Sequence, residues 1–222
     1  MPKSIVTIDG PSASGKSTVA RQVAEILGGV YVDSGSVYRG ITWQVLREGK
    51  DPGKPDEVIA CLRRMKLEFV NEGRAARLRV NGIDPGAEIR SDAVQERVSE
   101  VAAIPEVRQT VNRRLRATTR FGDIVMEGRD IGSVVFPTAR HKFYLDAVPE
   151  ERARRRHLEK AAGEGASGVH TVMDALKRRD AKDSGRQTAP LKVPEGAVVV
   201  DTTGISIEQV VERIVARVRE TR

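Results

Sequence analysis

The feature that most constrains the fold is a pattern near the start of the chain, where residues 10–17 read Gly-Pro-Ser-Ala-Ser-Gly-Lys-Ser. This segment matches the phosphate-binding pattern G-x-x-x-x-G-K-[ST]. A short apolar run from Ile5 to Ile8 precedes it, and a helical apolar stripe from Val19 to Leu27 follows it. Because such a loop has to join a strand to a helix, the sequence predicts a nucleoside triphosphate site at the first turn of an α/β fold.

Each part of this loop has a chemical role in holding phosphate. Inward-pointing backbone N–H groups and the N-terminus of the following helix attract an anion. Lys16 supplies a cation, and the Ser17 hydroxyl is a candidate Mg²⁺ ligand. Asp9, just before the loop, is left with either a structural or a metal-binding role. The predicted ATP-binding residues of the loop are Gly10, Pro11, Ser12, Ala13, Ser14, Gly15, Lys16, Ser17 and Thr18.

Strand-like and helix-like segments alternate along most of the chain. After the first unit, strands are predicted at about Val30–Val32, Asp123–Met126, His141–Leu145 and Ala197–Val200. Helices are predicted at about Val37–Glu48, Pro55–Lys66, Ser91–Ala103, Pro105–Arg120 and Ile207–Val218. Repeated strand–helix units predict a mostly parallel sheet with helices on both faces. In such sheets ligands bind beyond the carboxyl ends of the strands, where this chain places its polar clusters.

The pattern changes between residues 67 and 89. Lys66–Val70 and Ala76–Val80 alternate in the manner of strands, with a turn between them. Asn81 and Gly82 follow as a strong hairpin signal. The sequence therefore predicts a small antiparallel insertion on the α/β body.

Composition limits the kinds of partner. The net charge of +7 favours polyanions, such as nucleic acid or free nucleotides. Aromatic residues make up only 4% and are not interleaved with the basic runs, which argues against stacking on single-stranded nucleic acid. Cys61, the single cysteine, lies in an apolar run, so we expect a buried thiol and a reducing cytoplasm. We expect no signal peptide and no membrane span, and the histidines lack metal-ligand spacing.

Arginines recur at predicted strand ends and just after loops, a distribution that favours an anion-binding site. Phosphoryl transfer needs such a site because its transition state spreads negative charge over several oxygens. A hydroxyl acceptor often needs a general base, whereas a phosphate acceptor does not. The chain offers many arginines and no obvious lone base, which favours a phosphate acceptor. These arginines are Arg39, Arg129, Arg152, Arg154, Arg155, Arg156, Arg178, Arg179 and Arg186.

Taken together, these motifs resemble the bacterial cytidylate kinases, in order and spacing over nearly the whole chain. The resemblance is carried by Thr7 to Ser17, Asp33 to Gly35, Tyr38-Arg39, Ser99 with Val101 to Ala103, Pro105 to Arg108, Glu127 to Gly132, Val135 to Pro137, Arg179 to Arg186, and Asp201 to Thr203 with Ser206. It implies a P-loop NTPase fold. It also implies transfer of the γ-phosphoryl group of ATP to CMP or dCMP, with Mg²⁺ as cofactor and ADP and CDP or dCDP as products.

The resemblance also implies a division of the chain and of its site. A CORE domain would comprise residues 1–33 and 109–222, with a short lid at about 150–170. The NMP-binding region would be residues 34–108, with the β-insert at about 67–89. The implied CMP-binding residues are Ser34, Arg39, Ser99, Arg108, Arg129, Asp130, Asp183 and Arg186. The predicted catalytic residues are Lys16, Arg129, Arg155 and Arg179, and the predicted lid contacts to ATP are Arg152 and Arg156. Spacing does not choose among the lid arginines, and the family pattern does not require the Ser17 hydroxyl.

The chemistry of cytosine agrees with these roles. Cytosine presents a donor at N4 and acceptors at N3 and O2. The carboxylate of Asp130 can accept from N4, while Arg108 with Ser99 can serve N3 and O2. Uracil carries an acceptor at position 4, which would face that carboxylate unfavourably. By the same reasoning, arginines suit the CMP phosphate, and the carboxylate of Asp183 suits the ribose hydroxyls.

Two alternative functions stay open at this stage. The first is another small-molecule kinase of the same fold, acting on UMP, dTMP or a hydroxyl-bearing metabolite. The second is a nucleic-acid-binding ATPase or GTPase, which the positive charge suggests but the sparse aromatics and the missing Asn-Lys-x-Asp motif oppose. We expect a cytoplasmic monomer that binds ATP and CMP or dCMP, with no nucleic-acid or membrane partner.

Overall fold

The computed structural model describes residues 3–161 and 168–220, which form one seven-stranded sheet with helices around it. The strands are β1 (Ile5–Asp9), β2 (Val30–Asp33), β3 (Leu67–Glu72), β4 (Ala75–Val80), β5 (Ile124–Gly128), β6 (His141–Asp146) and β7 (Val198–Asp201). The α-helices are α1 (Lys16–Leu27), α2 (Ser34–Arg47), α3 (Pro55–Arg64), α4 (Asp92–Val101), α5 (Pro105–Arg116), α6 (Pro149–Ala161), α7 (Val169–Ser184) and α8 (Ile207–Glu220). Of the predicted lid, residues 162–167 lie outside the described residues.

The strand order is β3-β4-β2-β5-β1-β6-β7. Every neighbouring pair is parallel except β3 and β4, which are antiparallel. Parallel neighbours need crossover connections, and helices supply most of them. The predicted α/β fold with a mostly parallel sheet is confirmed, and the carboxyl ends of β1, β2 and β5 meet at one edge.

The insertion differs in one respect from the expectation. Strands β3 and β4 form the predicted antiparallel pair, joined by a turn at Gly73 with φ 65°. However, β4 also pairs in parallel with β2, so the insertion extends the main sheet instead of standing on it. The Asn81-Gly82 signal marks a second tight turn, with φ of 53° and 82°, which closes a bridge between Val80 and Ile83.

Hydrophobic cores lie on both faces of the sheet. Along β5 the side chains alternate, so Ile124 and Met126 belong to one core cluster and Val125 to the other. The first cluster includes side chains of α2 and α5, and the second includes side chains of α1 and α8. Cys61 is buried in the first cluster, as predicted. Apolar burial on two faces holds the strand ends in fixed positions.

Helix α2 begins at Ser34, three residues before the predicted start. The reason is a side-chain cap, because the carboxylate of Asp33 accepts the N–H of Ser36 at 3.1 Å. This early start puts the first turn of α2 directly at the end of β2. Ser34 and Arg39 are therefore carried by a capped helix at the edge of the sheet where ligands bind.

Helix α5 ends at Arg116, before the predicted Arg120, and residues 117–121 continue as a 3₁₀ turn. The hydroxyl of Thr118 donates to the carbonyl of Leu115 at 2.6 Å, and that of Thr119 donates to Arg116 at 2.9 Å. Such side-chain bonds compete with helical hydrogen bonding. In the part of the chain that is described, no helix is long and apolar enough to cross a membrane.

Candidate active site

A cleft of about 480 Å³ opens at the carboxyl ends of β1, β2 and β5, and we call it the main cleft. It brings together residues that the sequence scatters over most of the chain. The predicted site residues that line it are Ser12, Ala13, Gly15, Lys16, Ser17, Thr18, Ser34, Arg39, Ser99, Arg108, Arg129, Asp130, Arg156, Arg179, Asp183 and Arg186. The predicted residues that do not line it are Gly10, Pro11, Ser14, Arg152 and Arg155.

The phosphate-binding loop is held open by unusual backbone conformations. At Gly10 a Cβ atom would lie 2.0 Å from the carbonyl oxygen of Leu145, so only glycine fits against β6. Gly15 caps α1 with φ 87°, and Ala13 has φ 60°. Left-handed conformations are favourable for glycine and uncommon for alanine. The loop therefore keeps a fixed shape that its sequence alone would not select at Ala13.

Lys16 lies buried inside the loop. Its ammonium group donates to the carbonyl oxygen of Pro11 at 2.5 Å and to the hydroxyl of Ser14 at 3.3 Å. Burial, together with repulsion from Arg129, lowers the pKa of Lys16 to about 7. The ammonium group of Lys16 would bind the oxygens of a phosphate anion more strongly than the neutral oxygens of the loop, because hydrogen bonds between opposite charges are stronger.

An oxygen-rich contact lies beside the loop. The hydroxyl of Ser17 donates to Glu127 Oε1 at 2.7 Å, and the hydroxyl of Tyr31 donates to the same oxygen at 3.4 Å. Hydroxyl and carboxylate oxygens are ligands that Mg²⁺ accepts in proteins, usually together with substrate phosphates. Ser17 and Glu127 thus fit a Mg²⁺ ion, and both line the main cleft.

Asp9 has a structural position. Its two carboxylate oxygens accept the backbone N–H groups of Ile131 and Gly132 at 2.8 and 2.7 Å. Burial raises the pKa of Asp9 to about 7, and those two N–H groups oppose the rise. Between the two roles left open by the sequence, this geometry favours the structural one. The last residue of β1 fixes the turn that follows β5.

A buried ion pair also lines the main cleft. Arg108 pairs with Asp130, and only 2% and 6% of their side chains are exposed. Arg108 also donates to the carbonyl oxygen of Ala102 at 3.0 Å. Burial raises the pKa of Asp130, and the neighbouring Arg108 opposes the rise. The pair presents one fixed acceptor and one fixed donor near Ser99, which is what a polar ring edge requires.

Two further carboxylates organise the other arginines. Asp33 pairs with Arg39 at 2.5 Å and with Arg90 at 3.2 Å. Asp183 pairs with Arg129 at 3.2 Å and also with Arg186. Each carboxylate therefore holds two guanidinium groups next to one another, which like charges would otherwise oppose.

Several of these arginines have a buried N–H donor that makes no hydrogen bond within the described residues. The Nε atoms of Arg39, Arg108, Arg179 and Arg186 are buried and have no hydrogen-bond partner among the described residues. Buried donors without partners are costly and rare, so a group of them marks a place for an anionic ligand. Burial, together with Arg129, lowers the pKa of Arg179 to about 10. An arginine remains charged at neutral pH even after such a shift.

The three predicted lid arginines contact different parts of the structure. Arg155 donates to the hydroxyl of Thr202 at 2.9 Å and to its carbonyl oxygen at 2.6 Å. Arg152 is paired with Asp180 and contacts Ser12 without lining the main cleft, a position that we describe as behind the phosphate-binding loop. Arg156 is the one of the three that lines the main cleft, and it pairs with Glu159 at 3.0 Å.

Comparison with known proteins places the chain in a family. The family described as Cytidylate kinase matches residues 6–220. The chain belongs to the cytidylate kinase family. This confirms the resemblance seen in the sequence. A cytidylate kinase of Caldanaerobacter subterraneus subsp. tengcongensis is 41% identical over 97% of this chain and 94% of its own length. One of Geobacillus kaustophilus is 44% identical over 97% and 96%.

A solved structure supports the fold of this cytidylate kinase family member, and only its fold. An uncharacterized protein from Eubacterium ventriosum superposes with a TM-score of 0.55 over 100% of both chains, at 11% sequence identity. At this level of identity the likeness concerns the course of the chain and not its site.

Some contacts within the site of this family member escape sequence reasoning. Glu127 was noted only as part of a motif, although a carboxylate at the end of a strand was a signal that could have marked it. Gln95, which accepts from Arg179 at 3.1 Å, carries no signal of its own in the sequence. Among the described residues, no group of three or more His, Cys, Asp or Glu side chains could hold a metal ion.

Proposed function

We propose that this protein transfers the γ-phosphoryl group of ATP to CMP or dCMP, giving ADP and CDP or dCDP. The observation that carries the proposal is a single cleft that is lined both by a phosphate-binding loop and by the buried Arg108–Asp130 pair. The cleft is also lined by arginines whose buried Nε atoms have no hydrogen-bond partner among the described residues. Membership of the cytidylate kinase family supports the same reaction.

The donor nucleotide would bind at the loop. The backbone N–H groups of residues 13–18 and the N-terminus of α1 would hold the β- and γ-phosphates. Lys16 would exchange the carbonyl oxygen of Pro11 for phosphate oxygens, a stronger partner for its charge. Among the lid arginines, Arg156 is our candidate for contact with ATP, because it alone of the three lines the cleft.

The proposed cofactor is Mg²⁺, held by Ser17 and Glu127 together with the nucleotide phosphates. When bound, such an ion neutralises charge on the phosphate oxygens. Ser17 already donates its proton to Glu127, and a hydroxyl oxygen that donates its proton can still act as a ligand, so the Ser17 oxygen suits a Mg²⁺ ion in the cleft that it lines. This arrangement needs few protein ligands, as Mg²⁺ sites at phosphates usually do.

The acceptor nucleotide would bind along the arginine-lined wall. Arg39, Arg129 and Arg186 would hold its phosphate, and the Nε atoms of Arg39 and Arg186 would then find partners. Asp183, which fixes two of these arginines, is also our candidate for the ribose hydroxyls. The cytosine edge would meet Asp130, Arg108 and Ser99, with N4 donating to the carboxylate.

Transfer between the two phosphates depends mainly on position and charge. Arg129 and Arg179 would stabilise the negative charge that develops on the transferred group. The phosphate of CMP is already an anion, so no side chain has to remove a proton from it. Exclusion of water from the filled cleft would limit hydrolysis of ATP.

The nearest competing function is a kinase of the same fold with another acceptor, such as UMP, dTMP or a metabolite hydroxyl. The carboxylate of Asp130 opposes UMP because it would face the O4 acceptor of uracil. The division into a CORE domain and an NMP-binding region stays a prediction. The same holds for the monomeric state, the cytoplasmic location and the lack of a nucleic-acid partner.

The test is release of ADP from ATP and Mg²⁺ with CMP, dCMP, UMP, dTMP, AMP or shikimate as acceptor. We expect turnover mainly with CMP and dCMP. Turnover with a different acceptor would contradict the proposed substrate but not the ATP site. Retention on DNA or RNA at physiological salt without any CMP turnover would favour a nucleic-acid-dependent function instead.

A further inference from the structure

One carboxylate of α7 contacts the phosphate-binding loop. Asp180 accepts the backbone N–H of Ser12 at 3.2 Å with Oδ1 and pairs with the guanidinium of Arg152 through Oδ2. Arg152 in turn donates to the carbonyl oxygen of Ser12 at 3.2 Å and to that of Ala147 at 3.1 Å. The N–H and the C=O of one loop residue are therefore both held by the same ion pair.

We call this arrangement the Ser12 clamp: Asp180, Arg152 and the two backbone groups of Ser12. Its ion pair is largely shielded, with 9% of the Arg152 side chain and 17% of the Asp180 side chain exposed. Charge-assisted hydrogen bonds in such surroundings are stronger than neutral ones and weaken less in salt. The clamp joins three separate elements, because α6 carries Arg152, α7 carries Asp180 and the loop follows β1.

The residue next to the clamp has the conformation that most needs support. Ala13 adopts φ 60° without being glycine. Side chains seldom tolerate this region, and such residues persist where neighbouring structure holds them. Arg152 holds the carbonyl oxygen of Ser12, which belongs to the peptide group that joins Ser12 to Ala13. The clamp therefore fixes the peptide group on the N-terminal side of the left-handed residue.

We infer that Asp180 is a positioning residue for the donor nucleotide: through the Ser12 clamp it holds the phosphate-binding loop, including the left-handed Ala13, in the shape that binds the triphosphate. The inference rests on the proposed ATP-dependent function of the cleft. It gives Arg152 a position behind the loop instead of the direct contact with ATP that the sequence predicts. It also links the donor loop to α7, whose adjacent residue Arg179 lines the main cleft.

The first experiment measures binding of each nucleotide alone by titration calorimetry, with a non-hydrolysable ATP analogue and with CMP. We expect Asp180→Ala to weaken the ATP analogue about tenfold while CMP changes less than about twofold. Asp180→Asn keeps an oxygen that can accept the Ser12 N–H but loses the charge, so we expect an intermediate loss of about threefold. Asp174→Asn, an exposed residue of the same helix, is the matched control and should change neither affinity.

A double-mutant cycle separates positioning from general stability. Glycine adopts the left-handed conformation without penalty, so Ala13→Gly should reduce the loss caused by Asp180→Ala from about tenfold to about threefold. An equal loss in both backgrounds would overturn the inference. So would a lower unfolding temperature with unchanged affinity for the ATP analogue. If Asp180→Ala does not fold, the same cycle with Asp180→Asn decides.

The inference and the proposed function fail in different ways. Wild-type protein that binds the ATP analogue but phosphorylates no CMP would contradict the proposed acceptor and leave the clamp to be judged by the binding data. Wild-type protein that phosphorylates CMP, with Asp180→Ala binding the analogue as tightly as wild type, would contradict the clamp alone.

Discussion

Two sets of residues in the main cleft are suited to phosphate by different means: the loop of residues 10–18, which we call the donor end, and the arginines with the Arg108–Asp130 pair, which we call the acceptor end. At the donor end, one short segment supplies backbone amides, a helix N-terminus and the single ammonium group of Lys16. At the acceptor end, guanidinium groups come from α2, α5, the turn after β5, and α7 with the residues just beyond it. The donor end is built by the backbone, and the acceptor end is built by side chains.

This difference predicts how each end responds to change. Backbone N–H groups survive every substitution except one to proline, so the loop tolerates the loss of a neighbouring side chain at moderate cost. The acceptor end depends on buried ion pairs, such as Arg108 with Asp130, and removal of one partner leaves the other charge buried alone. We therefore expect the largest losses where a side chain serves both ends or stands in a buried pair.

Arg179 offers the strongest test, because its charge interacts with Arg156, our candidate for contact with ATP, and with Arg39 and Arg129, our candidates for the acceptor phosphate. Its buried Nε has no partner among the described residues, and its Nη1 donates to Gln95 at 3.1 Å. Arginines that stabilise the transferred phosphoryl group contribute about a thousandfold or more to kcat. We expect Arg179→Met to lower kcat about a thousandfold, with a much smaller change in either KM, in steady-state assays of ADP release.

The matched control is Arg178→Met, since Arg178 is the exposed neighbour on the same helix. This variant should keep the wild-type kcat. A loss confined to the KM for ATP in Arg179→Met would show that Arg179 belongs to the donor end alone, and the comparison between the two ends would then need a different boundary.

Asp130 tests the acceptor end by itself. Replacing its carboxylate by an amide removes the ionic partner of Arg108 and leaves one neutral oxygen, in place of two charged ones, to accept from Arg108 and from cytosine N4. We expect Asp130→Asn to lower kcat/KM for CMP about a hundredfold, because a base contact is worth about 1–3 kcal/mol and a buried charge loses its partner as well. The KM for ATP should change less than about twofold, since a buried pair couples weakly to a separate site.

The same variant also makes a qualitative prediction about specificity. An asparagine amide can donate to uracil O4, so the ratio of CMP to UMP turnover should fall. Equal losses for CMP and ATP, with that ratio unchanged, would mean that Asp130 only supports the fold of the cleft.

The comparison of the two ends also explains what the sequence could predict. The loop is a local property of adjacent residues, so its pattern located Lys16 and Ser17 without any family knowledge. The fold followed from alternating strand and helix signals. The start of α2 was missed because it depends on one side-chain cap, the bond from Ser36 N–H to Asp33.

The acceptor end depends on contacts between distant parts of the chain. Arg129 and Asp183 are 54 residues apart, and nothing in their spacing announces the pair. The resemblance to a family selected the residues that line the cleft, but it did not give their partners. Arg152 shows the limit most clearly, because its position in a row of arginines suggested the cleft while Asp180 holds it behind the loop.

Ser17 tests the donor end, where we expect a smaller effect. Its hydroxyl contacts Glu127 at 2.7 Å and is our candidate Mg²⁺ ligand. Ser17→Ala should raise the Mg²⁺ concentration that gives half-maximal rate about tenfold, the range in which loss of one group at a metal site usually falls. Ser91→Ala, at an exposed position outside the cleft, is the control. An unchanged Mg²⁺ requirement would contradict the assignment.

For Lys16 we expect the smallest change in affinity, but the direction of its pH dependence is well defined. In the ligand-free chain, burial lowers the pKa of Lys16 to about 7. The folded protein therefore holds fewer protons than the unfolded chain above that pH, so this group makes stability rise with pH.

Bound phosphates raise the pKa of Lys16 again, so nucleotide binding takes up a proton and becomes weaker as pH rises. From pH 7 to pH 8 we expect affinity for an ATP analogue to fall about fivefold. Calorimetry at pH 8 in buffers of different ionisation enthalpy measures the uptake, and Lys16→Arg, which stays charged, should abolish it. Proton uptake that persists in Lys16→Arg would assign the linkage to another group and leave the donor end dependent on its backbone alone.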